Sequence, residues 1–180
     1  MSPKECQIAD WREIGLTDGL AGKALSYFNE RRSDCAEAEI WADTNAYLQG
    51  REQGLKSYCQ LGNAAQLGLR GEPYEGVCPP AVDQEFRRRY RIGLDIHRFN
   101  VEIGRLNSRF AALEKRLDNN RYEFDRKLGS PSKNDDLQRT YRNYEREQSK
   151  IREEQRTILN SLHWSQDQLR NAEALLDRLR

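Results

Sequence analysis

Two apolar ladders in heptad rhythm, separated by one short turn, constrain this chain more than any other feature. The first runs Ile92, Ile96, Phe99, Ile103, Leu106, Phe110, Leu113, Leu117, Asn120, Phe124, in steps of four and three. The second runs Leu137, Tyr141, Tyr144, Gln148, Ile151, Gln155, Ile158, Leu162, Ser165, Leu169, Ala172, Leu176, Leu179. Gly129-Ser130-Pro131-Ser132 lies between them. Side chains at this spacing share one stripe of a helix, and a sustained stripe is buried by a second helix. The pattern predicts two long antiparallel helices, over about 83–128 and 134–180, folded on each other as a coiled-coil hairpin. At 1.5 Å per residue each is roughly 70 Å long.

Polar residues at four seam positions, Asn120, Gln148, Gln155 and Ser165, weaken the core and help fix register. Flanking charges allow two registers. One sets Arg109 near Glu154 and Arg116 near Glu147; the other sets Glu114 near Arg152 and Arg121 near Glu145. Both join opposite signs, so charge alone does not choose. Leu159 and Leu175 flank the second seam, and Trp164 lies off it beside His163. A third element is expected to pack there, either the N-terminal part or a second copy of the chain. Such a dimer would be symmetric.

Composition agrees with a helical arm. Charged residues make up 33% and hydrophobic ones 37%, and a two-helix seam needs only two or three apolar positions in seven. The net charge of +1 divides into −4 over residues 1–80 and +5 over 81–180. Neither half carries the basic excess of a nucleic-acid-binding surface, so no nucleic-acid partner is expected. No stretch is apolar enough to span a membrane.

All four cysteines, Cys6, Cys35, Cys59 and Cys78, fall in the first 78 residues, with no C-x-x-C pair and two histidines in the chain. That argues against zinc and for two disulfides in an oxidising compartment. Three pairings are possible; Cys6–Cys35 with Cys59–Cys78 is the one adopted, since each bond would close a local helical unit. Oxidised cysteines imply that an export signal has been removed ahead of Met1.

Cys78-Pro79-Pro80 marks the expected boundary between a head, residues 1–80, and the hairpin, residues 81–180. The head holds nine of the twelve glycines. Gly15-Leu16-Thr17-Asp18-Gly19-Leu20 and Gly50-Arg51-Glu52-Gln53-Gly54-Leu55 share a G-x-x-x-G-L form, and Ile14-Gly15-Leu16, Leu67-Gly68-Leu69 and Ile92-Gly93-Leu94 share a tripeptide form. Three helices are expected, over 7–30, 44–59 and 63–71, with Asp43 or Thr44 and then Asn63 as N-caps. Glycine spaced by four inside helices points to faces where two backbones approach closely, by analogy with small-residue interfaces in membranes. Pro80 suits the first turn of the first long helix, and Ser132 or Asn134 can cap the second.

No constellation for chemistry emerges. There is no G-x-S-x-G, no H-E-x-x-H and no phosphate-cradling loop. His97 reads as a flank of the seam. Asp18, with Glu52 and Gln53 at the equivalent place, reads as hydrogen bonding between tightly packed helices. No catalytic residue, cofactor or metal is expected, and the chain reads as a non-enzyme. Arg87, Arg88 and Arg89 form the sharpest basic cluster and are expected to pair with the acidic head or with Glu173 and Asp177.

One combined spacing is more specific. It runs Cys6-x-x-x-Asp10-Trp11-x-x-x-Gly15-x-x-Asp18-Gly19-x-x-Gly22, then Cys35, then Tyr47-x-x-Gly50-Arg51-x-x-Gly54-Leu55-x-x-Tyr58-Cys59, then Gly68-x-x-Gly71-x-x-Tyr74-x-Gly76-Val77-Cys78. Over about residues 5–100 this resembles the bacterial family known as domain of unknown function 2799 (DUF2799). The resemblance implies an exported protein of the Gram-negative envelope, periplasmic and often lipid-anchored, with no assigned activity. No lipobox precedes Cys6, so any membrane attachment would need an anchor absent from this chain.

The expected fold is all-α, a small disulfide-stapled, glycine-rich helical head followed by a long antiparallel hairpin. The expected function is that of an envelope interaction or structural adaptor. Its contact residues would be Leu159, Trp164, Leu175, Arg87, Arg88 and Arg89, and its partner another protein or a second copy. The alternative is an inhibitor or immunity-type protein that blocks an exported enzyme through acidic head residues such as Glu52, Glu72 and Glu75.

Overall fold

The computed structural model describes residues 1–129 and 134–179. Among these, all regular structure is helical: α1 (Pro3–Gln7), α2 (Trp11–Leu20), α3 (Leu25–Glu37), α4 (Thr44–Tyr58), α5 (Leu61–Leu69), α6 (Pro80–Leu128) and α7 (Asn134–Asp177). The turn expected at Ser130-Pro131-Ser132, with a cap from Ser132, lies outside the described residues, as does the side chain of Asn134. Two compact units are present. One comprises Met1–His97 with Ala172–Arg180, the other Arg98–Asn171.

In the first unit, local chemistry divides the single helix expected over 7–30 between α2 and α3. Asp10 caps α2, its Oδ1 accepting the Arg12 and Glu13 N–H groups, each at 3.0 Å. At the other end Gly22 takes a left-handed φ of +64°, open to glycine without strain, and α2 cannot continue through it. Asp43 caps α4 as expected, accepting from the Ala46 N–H at 2.9 Å. Asn63 does not cap α5; Gln60 holds that position. The Asn63 amide instead donates to the Ser57 and Tyr58 carbonyls at the end of α4. α6 begins at Pro80, three residues earlier than expected, with proline in its first turn.

The disulfides join Cys6 to Cys35 and Cys59 to Cys78. Two such bonds belong to an oxidising, extracytoplasmic compartment. Each anchors its own aromatic core. Beside Cys6–Cys35, Phe28 stacks on Tyr47 with centroids 4.1 Å apart, and Trp11 meets Phe28 edge-on. Beside Cys59–Cys78 sit Tyr58, Leu67 and Phe86, with Tyr74 against Phe86 at 4.8 Å. Phe86 is fully buried, so this core continues into α6 beyond Pro80.

Glycines set the contact between α2 and α4. A Cβ placed on Gly15 would lie 2.0 Å from the Tyr47 carbonyl oxygen, and one on Gly50 would lie 1.9 Å from that of Arg12. Gly19 faces Arg51 and Gly54 faces Leu16 in the same way, each at 2.4 Å. The two G-x-x-x-G faces thus press backbone on backbone. Gly68 of α5 and Gly93 of α6 repeat the arrangement, against the carbonyls of Tyr90 and Ala65 respectively, each at 2.2 Å.

In the second unit, Leu106 and Leu113 of α6 are buried with Ile151, Ile158 and Leu162 of α7. Phe124 stacks on Tyr144 with centroids 4.2 Å apart, and Phe99 meets Trp164 edge-on at 6.0 Å. Arg109 pairs with Glu154, and Arg116 with Glu147 at 2.6 Å; these are the pairs of the first register. The seam amide of Asn120 has a buried Nδ2 with no acceptor, the cost carried by a polar residue in an apolar stripe.

Candidate functional site

The most strongly built polar cluster centres on Asp18, which is 1% exposed. Three helices supply it, α2 and α4 capped by Asp10 and Asp43 and α3 without a side-chain cap. Asp18 comes from α2, Arg31 from α3 and Tyr47 from α4. The Arg31 guanidinium grips both carboxylate oxygens, and the Tyr47 hydroxyl donates to Oδ2 at 3.0 Å. Lys23 Nζ lies 3.6 Å from Oδ1. Arg51 donates to the Lys23 carbonyl at 2.8 Å, while its Nε is buried without an acceptor.

Burial pushes the Asp18 carboxyl up. The hydrogen bonds from Arg31 and Tyr47 and the charges of Arg31 and Lys23 outweigh it, and the net shift is downward. Tyr47 moves to about 12, first through burial and then through its bond to Asp18. A carboxylate whose lone pairs are taken, and a phenol held protonated, form a structural lock rather than an acid–base pair. The expected role of Asp18 as a hydrogen-bonding residue among packed helices fits this geometry. Glu52 and Gln53 do not share it: both are exposed, and Glu52 pairs with Lys56 on its own helix.

The lock gives a pH prediction. The folded pKa of Asp18 lies below its unfolded value, so its stabilisation is complete above the unfolded value, near 4. It is lost as pH falls through the folded value. Asp18→Asn is expected to lower stability at pH 7 by about 2 kcal/mol, through loss of charge-assisted bonds. The gap to wild type should narrow below about pH 4. Urea unfolding at several pH values measures it, and a gap independent of pH would contradict the ionised lock.

The predicted contact residues divide among three places. Arg87, Arg88 and Leu175 come together in a groove of about 790 Å³, with Arg91, Ile92 and Pro80. Arg89 faces a separate groove with Leu176 and Leu179. Leu159 and Trp164 lie in the other unit, and Trp164 is 59% exposed. The arginines are held by acids of their own helix, one turn back. Arg87 pairs with Asp83, and Arg88 and Arg89 with Glu85. The acids named for an inhibitory head are partly engaged as well. Glu72 binds Arg70 through both oxygens, and Glu75 accepts from the Ala24 N–H at 2.6 Å.

His97 packs over Gly71, its Nδ1 lying 3.0 Å from the Leu69 carbonyl. Among the described residues, no group of three His, Cys, Asp or Glu side chains is arranged to hold a metal. No helix of the described residues is long and apolar enough to cross a membrane. The partners of Asp18 escaped sequence reading because Arg31 and Tyr47 stand in other segments with no motif linking them.

No curated protein and no solved structure matches the chain. A family model does, over residues 10–95, the stretch that holds the α2–α4 contact, both aromatic cores and the Asp18 lock. That segment matches the model of the family described as Protein of unknown function (DUF2799), the one its cysteine, glycine and aromatic spacing resembles.

Proposed function

We propose that this is an exported interaction protein of the bacterial cell envelope, in which α6 and α7 form an antiparallel coiled-coil hairpin that docks on another protein or on a second copy of itself. The hairpin reading is supported by pairs that ascend one helix and descend the other: Phe99 with Trp164, Arg109 with Glu154, Arg116 with Glu147, Phe124 with Tyr144. The envelope reading, periplasmic with or without a lipid anchor, is supported by the two disulfides and the family match.

The observation that carries the docking role is Trp164, more than half exposed at 59% on a helix whose neighbouring seam residues are buried. Leu159 is exposed on the same helix. Tryptophan is the residue most enriched among interface anchors, and truncating an anchor costs about 2 kcal/mol or more. Sedimentation equilibrium on the oxidised chain tests self-association. A dimer is expected, weakened about 30-fold by Trp164→Ser. Site-specific photocrosslinking from position 164 in the native envelope tests a different partner. A monomer that yields no discrete adduct from position 164 would sink the proposal.

A further inference from the structure

Trp41 is 82% exposed, the highest value of any large apolar side chain among the described residues. The loop that carries it, between α3 and α4, is pinned along its length. Glu39 N–H donates to the Ala36 carbonyl and Ile40 N–H to the Cys35 carbonyl, each at 3.0 Å. Cys35 is itself bonded to Cys6. Ile40 and Ala42, on either side of Trp41, pack against the core of Trp11, Phe28 and Tyr47, and Asp43 caps α4. The backbone is fixed while the indole between two inward-facing neighbours is held out in solvent. Covering a side chain on fixed backbone costs little ordering entropy, which suits an interface anchor.

Charge defines what can cover it. The run Glu37-Ala38-Glu39-Ile40-Trp41-Ala42-Asp43 holds three carboxylates and no base. Glu37 and Glu39 are exposed, and among the described residues no ion pair holds either. The left-handed position that ends α3, with φ +60°, suits glycine, yet the chain places the Glu39 carboxylate there. The two bases that precede the loop are engaged with the core: Arg31 grips Asp18, and Arg32 lies over the Phe28 ring at 5.9 Å. Lys4 and Glu5 of α1, joined to the end of α3 through Cys6–Cys35, cancel. An open indole among unpaired carboxylates attracts a guanidinium on both counts, since that group stacks on aromatic faces and forks onto carboxylates. An ammonium pairs with the acids but lacks the planar stack. An anionic lipid surface would be repelled by them.

We propose that the 37–43 loop docks an arginine-rich segment of another protein, with one guanidinium lying on the Trp41 indole and its neighbours paired with Glu37 and Glu39. This surface belongs to the first unit and does not rest on the docking role of Trp164 in the other.

The test is protein-detected NMR titration of the oxidised chain with a blocked peptide of alternating glycine and arginine, beside lysine and glutamate versions of the same peptide. Saturable shifts are expected at the Trp41 indole N–H and the Glu39 amide, with the arginine peptide bound most tightly. Trp41→Ala should weaken it about fivefold, the loss of one exposed cation–aromatic contact. Glu37→Gln with Glu39→Gln should weaken it by about fivefold as well, the loss of two exposed ion pairs. Both variants alter exposed side chains and should melt with the wild type, so weakened binding reports the surface and not the fold. The proposal is overturned by no saturable shift, by equal affinity for the lysine or glutamate peptide, or by unchanged affinity in Trp41→Ala. It is overturned too if Trp41 responds to phosphatidylglycerol vesicles in place of the peptide, which would mark a lipid contact. Trp41 shifts that follow protein concentration alone would assign the loop to a second copy and have the same effect.

Discussion

Gly50→Ala is expected to destabilise the first unit by about 4 kcal/mol or more, which is a large part of the stability of a small domain. The added methyl would start 1.9 Å from the Arg12 carbonyl oxygen and 2.9 Å from the Leu16 nitrogen. Both belong to helix backbone, so no side chain can rotate to make room. α2 and α4 would have to separate, and that separation also opens the Gly15, Gly19 and Gly54 contacts and loosens the Asp18–Arg31–Tyr47 lock. Urea unfolding followed by near-ultraviolet circular dichroism measures the loss. Gly62→Ala is the control: nothing lies within 4 Å of its Cβ, and alanine favours α5 by up to about 1 kcal/mol. Wild-type stability in Gly50→Ala would show that the two backbones are not in contact.

Reduction of the disulfides is expected to have the second large effect. Cys6–Cys35 and Cys59–Cys78 close loops with sequence separations of 29 and 19. Loop-closure entropy assigns about 3–4 kcal/mol to each, so together they contribute about 7 kcal/mol as an upper figure. That equals or exceeds the net stability of many domains of this size. With reductant, the near-ultraviolet signal of Trp11, Phe28, Tyr47 and Tyr58 should collapse. Most far-ultraviolet helicity should remain, because the Leu106–Leu113–Ile151–Ile158 core contains no cysteine. Thermal melts with and without reductant check both halves of the expectation. Coincident melts would mean that the head is held by its packing alone.

Which parts of this architecture could be read from the residues follows from the range of the interactions involved. The seam was legible because burial repeats every three or four positions, and Leu106, Leu113, Ile151 and Ile158 occupy the predicted stripe. The G-x-x-x-G spacing was legible because a missing side chain in a helix has few uses other than close approach. The break between α2 and α3 was missed, although Asp10 three residues before Glu13 and Gly22 after Leu20 are ordinary start and stop signals. Register escaped because both choices paired opposite charges. The structure forms Arg109–Glu154 and Arg116–Glu147.

The order of the cysteines along the chain has its own consequence. Cys6 bonds the next cysteine to follow it, and Cys59 bonds the one after that. A polypeptide emerging N-terminus first therefore offers each sulfur its correct mate before any competitor from the second pair has appeared. Simple sequential oxidation then yields the native pairing, and an isomerase has no wrong bond to undo.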